Sequence, residues 1–438
     1  MSTSQSLNEE LLAKEKRDPV SRVILASMIG TTIEFFDFYA YGTAASLYFP
    51  HVFFPEMTPT IALILSLLTF GVAFIARPMG SFIFGHFGDR IGRKQTLVAS
   101  LLTMGISTVL IGCLPGYASI GMTSVILLCF LRFMQGIGLG GEWSGAASVA
   151  TENAPAEKRA RFGAFPQLGS PIGFFLCNGL FLVLSATLST DQMMSWGWRV
   201  PFLVSAVLVF VGFWVRERLQ ETPLFRVAKE TDNVAKAPLA VLFKNYWREI
   251  IQATFIVAVT YSIFYTCATW SLTYAVNTLG FSHELYLILL LIGVCSMAAF
   301  ILVSTQLADR FGRRRVLMIS ACVVIVFAIF FPYLLMGTRN IAAAVIFLIL
   351  GFGLMGTSFG PVGAILPELF PTKVRYSGAG IAYNLAAILG AAFLPTFETW
   401  IVSAHGVKWA GTWLLIMAVG ALVALITVKE TKDQDFTR

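Results

Sequence analysis

Charge is scarce in this chain. Acidic and basic residues make up 13% of its 438 residues and hydrophobic residues 57%, against about 25% and about 45–50% in a soluble domain. Burial in a water-soluble core does not account for that much apolar sequence. Histidine and cysteine are scarce too. His51, His86, His283 and His405 are scattered over connecting segments, which leaves no zinc cluster. Cys113, Cys129, Cys177, Cys267, Cys295 and Cys322 lie in or beside apolar runs without CxxC spacing, so they read as small buried hydrophobes rather than disulfides or metal ligands. No metal site is expected. A nucleophile–base set and a cofactor motif are also missing, which argues against a membrane-embedded enzyme. The tails and loops are too short for the signalling domain of a transporter-like receptor. A cleavable leader is not visible: the first twenty residues are polar, and the apolar run that follows is too long for a signal sequence.

What fills the chain is apolar runs of membrane-crossing length. Twelve spans are expected, near 23–48, 61–84, 96–114, 121–150, 161–187, 198–215, 248–276, 285–306, 316–336, 341–366, 377–402 and 409–428. The net charge of +7 belongs to short loops between spans and implies membrane topology rather than nucleic-acid binding. With both termini in the cytoplasm, all but five of the 31 Lys and Arg residues fall inside; the five are Arg77, Arg132, Arg199, Arg339 and Lys408. This predicts an all-α, multi-pass inner-membrane protein. Its parts are a cytoplasmic tail 1–22, a six-helix bundle 23–215, a cytoplasmic linker 216–247, a second bundle 248–428 and a tail 429–438.

The second half repeats the first. HFGDRIGRK at 86–94 recurs as LADRFGRRR at 307–315, and ENAPAEKR at 152–159 recurs as ELFPTKVR at 368–375. Such duplication is a common way for transporters to build a central substrate path. The first repeat supplies Gly85, Asp89, Arg90, Gly92, Arg93 and Lys94; the second supplies Asp309, Arg310, Gly312, Arg313, Arg314 and Arg315. Both are expected as loops whose acids and bases latch onto helix ends at the cytoplasmic face and so gate the two access states. A plain positive-inside loop is an unlikely reading for two copies at matching positions.

These segments resemble the loop signature of the major facilitator superfamily. Arg132, Gln135 and Gly136 in LRFMQGIGLGGEW resemble its RxxQG pattern. IEFFDFYAYG, ARPMGSFIFGHFGDRIGRK, GGEW at 140–143, SWGWRVPF and PELFPTKVR narrow the resemblance to the metabolite:proton symporter branch, which includes carriers for shikimate, α-ketoglutarate, citrate and proline or betaine. The likeness spans essentially the whole chain. It implies the major facilitator fold, twelve transmembrane helices in two pseudo-symmetric six-helix bundles. It also implies proton-driven import of a small metabolite that bears a carboxylate or is zwitterionic, with the proton as coupling ion, no cofactor, and a monomer in the lipid bilayer. A facilitator or an efflux carrier on the same fold stays open. Buried acids favour proton coupling, and QLGSPIGFFLCNG lacks the full antiporter pattern.

Charges inside hydrocarbon are costly and face a cavity or a partner. Six candidates stand out: Glu34, Asp37, Arg77, Arg132, Glu142 and Glu398. Rise along the helix places Asp37 on span one and Arg132 on span four at similar depth, so the two are expected to pair. Protonation of Asp37 would then release Arg132 toward an anionic substrate; a static ion pair is the alternative. Glu34 is a second proton site or part of the pocket. Arg77 reads equally as a substrate ligand or as a brace for the signature segment. Glu142 is expected in an intracellular charge network and Glu398 at the outer surface. Tyr41, Gln167, Tyr261, Tyr265, Tyr383 and Asn384 are candidate path-lining residues. Gly136, Gly138, Gly140 and Gly141 are expected to pack helices together.

Overall fold

The computed structural model describes residues 20–91, 93–217, 238–335, 339–371 and 374–432. A backbone in hydrocarbon has no water to satisfy it, so it must close its own hydrogen bonds, and helices do this within one segment. The described residues form twelve long helices. They are α1 Val20–Leu47, α2 Pro59–Ile91, α3 Arg93–Cys113, α4 Met122–Glu152, α5 Arg159–Thr187 and α6 Val200–Glu217, followed by α7 Trp247–Asn277, α8 His283–Phe311, α9 Arg313–Leu335, α10 Ile341–Leu369, α11 Arg375–His405 and α12 Thr412–Thr427. Eleven of them are long and apolar enough to cross a membrane. Helix α1, which carries Glu34 and Asp37, falls outside that group.

The polarity of a soluble protein is inverted. Ile126, Val207, Phe210, Ile319 and Phe330 face outward, whereas Glu34, Asp37, Arg77, Arg132 and Glu398 are buried. Helices α7 and α11 are each interrupted by one π-helical turn, at Thr266–Trp270 and Ile388–Ala392. Turns of this kind widen the helix and often occur at functional positions.

The signature segments are not loops, as the sequence suggested. Helix α2 continues to Ile91, so the backbone of residues 85–91 is helical. Asp309 and Arg310 lie on the last turn of α8, and Arg313 already opens α9. Gly312 alone makes the joint, at φ +101°, a conformation that disfavours any residue with a Cβ. Polar helix ends can project past hydrocarbon without penalty, which is why apolar length alone underestimated both helices.

The bundles meet where α2 packs on α11 and α5 packs on α8 and α10. Toward the end of the molecule that carries Asp309–Arg314, the contact is tight; this end is called the basic face below. The Tyr376 hydroxyl donates to the Gly141 carbonyl at 2.5 Å. The Asn384 amide donates to Ser81 Oγ and the Gly140 carbonyl at 2.5 and 3.1 Å. Gly163 and Gly363 bring α5 and α10 so close that a Cβ on Gly363 would lie 2.3 Å from the Gly163 oxygen. Toward the opposite face the bundles part around a vestibule of about 890 Å³, bordered by Ser46, Pro50 and Ala62 of one half and Trp270, Thr273 and Thr399 of the other. The molecule is closed at the basic face and open opposite it.

Candidate functional site

Glu34 lies midway along α1 and Arg77 midway along α2. Their side chains form a fully buried ion pair, Arg77 Nη2 to Glu34 Oε1 at 2.6 Å. Across the bundle interface, Arg77 Nη1 donates to the Tyr261 hydroxyl of α7 at 3.3 Å. The guanidinium also lies near the rings of Phe38 and Phe74, 5.1 and 5.7 Å from their centroids. Arg77 is therefore held by an acid of its own bundle and a phenol of the other.

Two aromatic layers enclose this pair. One turn toward the vestibule, Tyr265 of α7 meets Phe70 and Phe74 of α2 at 5.5 and 5.6 Å. Tyr39 of α1 stacks on Phe264 at 5.0 Å and shares a hydrogen bond with Ser170 of α5. On the side of the basic face, the Trp143 indole of α4 lies flat on Tyr383 of α11, with centroids 3.8 Å apart and planes within 1°. Trp143 Nε1 donates to Gln167 Oε1 at 2.9 Å, and Gln167 Nε2 donates across the interface to the Phe359 carbonyl at 2.9 Å. Trp143, Phe38, Tyr39 and Phe264 escaped the sequence reading. For Trp143 the signal was the GGEW motif, and for Phe38 and Tyr39 it was their place between two acids and Tyr41.

The expected Asp37–Arg132 pair is absent among the described residues. Asp37 is buried and accepts from two hydroxyls, Thr108 of α3 at 3.0 Å and Ser205 of α6. Arg132 donates to Gln135 Oε1 at 2.5 Å and to the Phe70 carbonyl at 3.4 Å, and its guanidinium sits 3.9 Å from the Tyr41 ring centroid. The two are joined only through a relay, because Gln135 Nε2 donates to Thr108 Oγ1 at 2.7 Å. Equal depth did not bring them together, since azimuth points Asp37 at α3 and α6. Tyr41 bonds Thr69 at 2.7 Å and packs on Phe49, Phe70 and Phe202. The hydrogen bonds and ring contacts of Tyr41 and Arg132 stay within the first bundle, and the Arg132 guanidinium lies over Phe38 and Phe70, which themselves meet Tyr265 of α7 at the interface. Tyr261, Tyr265, Tyr383 and Gln167 do meet at the interface. Asn384 is there as well, committed to the bonds that close the basic face.

At the basic face, Asp309 accepts from the backbone N–H groups of Ala160 and Arg161 at 3.0 and 3.2 Å. These sit at the N-terminus of α5, where a negative charge is favoured. Asp309 also lies 3.4 Å from Arg313, which pairs with Glu368 at 3.0 Å. Arg314 bonds the carbonyls of Leu425 and Ile426 at 2.7 and 3.0 Å. The Arg310 carbonyl accepts from Lys432 at 3.0 Å. In the first copy, a Cβ on Gly85 would meet Ser377 Oγ of the other bundle at 3.2 Å, and Lys94 donates to the Glu217 carbonyl. The side chains of Asp89, Arg90 and Arg93, and Gly92 as a whole, lie outside the described residues. Glu142 is buried in α4, with Ser100 Oγ 3.4 Å from Oε2. Glu398, expected at the surface, is fully buried. It lies about two turns inside the end of α11 and faces Thr266 of α7, whose hydroxyl donates to it at 2.8 Å.

The Major Facilitator Superfamily profile matches residues 27–386. The inner membrane metabolite transport protein YhjE of Escherichia coli (strain K12) is 51% identical over 418 residues, which cover 94% of this chain and 95% of that protein. The shikimate transporter of the same strain is 35% identical over 424 residues, 94% of each. Among solved structures, the proton:xylose symporter XylE from E. coli, bound to 6-bromo-6-deoxy-D-glucose, superposes with a TM-score of 0.75 at 19% identity, covering 95% of this chain and 98% of that one. At that identity the likeness is one of fold.

Proposed function

The chain belongs to the major facilitator superfamily and is a multi-pass membrane transporter, and from that premise we propose that it imports a small carboxylate-bearing or zwitterionic metabolite across the inner membrane together with protons. In this reading both termini and the basic face are cytoplasmic, as the distribution of Lys and Arg requires. The state described above is then outward-facing, and the protein works as a monomer without a cofactor.

The observation that carries the proposal is the buried Glu34–Arg77 pair at the interface, with Tyr261 of the opposite bundle on the same guanidinium. While Glu34 is ionised, it occupies Arg77. A proton on Glu34 removes that charge and leaves the guanidinium in need of an anion, because an unpaired buried charge is costly. A substrate carboxylate arriving through the vestibule satisfies it, so proton and substrate are bound together. Arg77 bridges to α7, so filling the site also changes what holds the two bundles, and the site is placed to report its occupancy to the rocking motion. Asp37, held by two hydroxyls, takes the part of a positioning residue for α1 against α3 and α6.

The test is paired. Glu34→Gln imitates the protonated acid. In proteoliposomes it keeps substrate counterflow but loses accumulation driven by an imposed proton gradient. A Glu34→Gln protein that still concentrates substrate against its gradient removes Glu34 from the coupling step.

A further inference from the structure

We propose that Glu398 is a second proton-binding site, separate from the Glu34–Arg77 centre and filled from the vestibule. The carboxyl is fully buried. Oε1 accepts from the Thr266 hydroxyl at 2.8 Å, and Oε2 has no hydrogen-bond partner. No Lys, Arg or His among the described residues forms an ion pair with it. The elements packed against this part of α11 are the π-helical turn and neighbouring helix of α7, its own π-helical turn, α2 and residues 407–409. Their titratable groups are accounted for elsewhere. Cys267 is a buried thiol beside Glu398. Arg77 is bonded to Glu34 and Tyr261, and Tyr265 sits in the aromatic layer. Arg248 and Glu249 lie at the other end of α7, positions His86, Asp89 and Arg90 belong to the basic end of α2, and His405 and Lys408 are exposed.

An ionised carboxylate in such a place would lack any counter-charge, and burial without one is strongly unfavourable. The arrangement suits the neutral acid. Access is short. Thr399, the next residue, and Trp270, one turn beyond Thr266, both border the vestibule. A hydrated proton there transfers to a carboxylate oxygen of Glu398, an O–H bond forms, and a water molecule is left behind. The position also has leverage. Glu398 joins α11 to the π-helical turn of α7, and the π-helical turn of α11 touches the first bundle, where a Cβ on Gly71 would lie 2.9 Å from the Ala392 carbonyl. The neutral acid lets these helices stay packed; the charged one draws water in between them. Proton occupancy at Glu398 thereby ties the packing of the vestibule floor to the pH outside.

The experiment is infrared spectroscopy of the detergent-solubilised full chain at neutral pH, wild type against Glu398→Gln. A protonated carboxyl absorbs apart from carboxylates, and the expected result is loss of that band in Glu398→Gln. Should Glu398→Gln fail to fold, Glu398→Asp keeps a protonated carboxyl and shifts the band. Identical spectra for wild type and Glu398→Gln, or an unshifted band in Glu398→Asp, overturn the proposal. Thr266→Ala removes the hydrogen bond to the carboxyl and also shifts the band, which assigns the band to the carboxyl that faces Thr266. The Glu34 reading is tested independently: Glu34→Gln keeps the Glu398 band whether or not it still accumulates substrate.

Discussion

Neutralising Glu34 and Arg77 singly and then together measures how tightly the centre is bound to itself. Both side chains are buried and 2.6 Å apart. Removing one partner of such a pair strands the other charge, at a cost of about 3–5 kcal/mol, whereas replacing both with neutral groups of similar size is close to neutral. Part of the loss is offset when Glu34 is the residue removed, because Arg77 retains the Tyr261 hydroxyl and the faces of Phe38 and Phe74. Cation–π contacts of this kind contribute roughly 0.5–2 kcal/mol. The cycle Glu34→Gln, Arg77→Gln and the double variant is predicted to give a coupling energy of at least about 3 kcal/mol, at or above the top of the range for residues in contact. The assay is reversible unfolding of the purified protein in mixed detergent, followed by tryptophan fluorescence. A coupling energy under about 0.5 kcal/mol would be that of a solvent-exposed pair and would refute the reading of Glu34 and Arg77 as a buried ion pair between the bundles.

Two further outcomes follow from the packing. Gly140→Ala places a Cβ 2.1 Å from the Arg77 carbonyl, while Gly179→Ala meets nothing within 4 Å; overpacking typically costs about 1–3 kcal/mol, so the same unfolding assay should show Gly140→Ala destabilised by at least that and Gly179→Ala unchanged. Asp309→Asn removes the charge from the α5 N-terminus and weakens the seal at the basic face by about 0.3–1 kcal/mol or somewhat more, so it should raise thiol labelling of a cysteine introduced at the buried Ser377, which faces Gly85 across the interface, and slow transport; labelling equal to that of the parent would leave the signature segment without a gating role.

The membrane-spanning helices were the legible part of the sequence, because hydrocarbon demands long apolar helices and the charges between them are few. Their ends were not, since polar turns that project into water look like loops; Asp309 and Gly312 show the difference between a helix that stops and one that turns on a single residue. The interface tyrosines and Gln167 were legible as polar groups in apolar runs. The pairing of charges was not. A rise per residue gives height, and by height Asp37 and Arg132 were matched; azimuth decides partners, and Glu34 rather than Asp37 points at an arginine. The hydroxyls of Thr108 and Ser205 that receive Asp37 are too common in membrane helices to announce themselves. Glu398 was misplaced for a related reason: nearness to a helix end says nothing of which way the side chain faces, and α11 turns it toward Thr266 and away from water.

The central claim is that one buried acid–arginine pair couples a proton to a carboxylate. Its most direct test is to record proton and substrate fluxes together in proteoliposomes, using a panel of labelled carboxylates and no imposed gradient. Adding a transported carboxylate outside is expected to alkalinise the outer medium in step with uptake in the wild type, whereas Glu34→Gln exchanges the same substrate with no pH change. Substrate uptake by the wild type without proton movement, or proton movement that persists in Glu34→Gln, would contradict it.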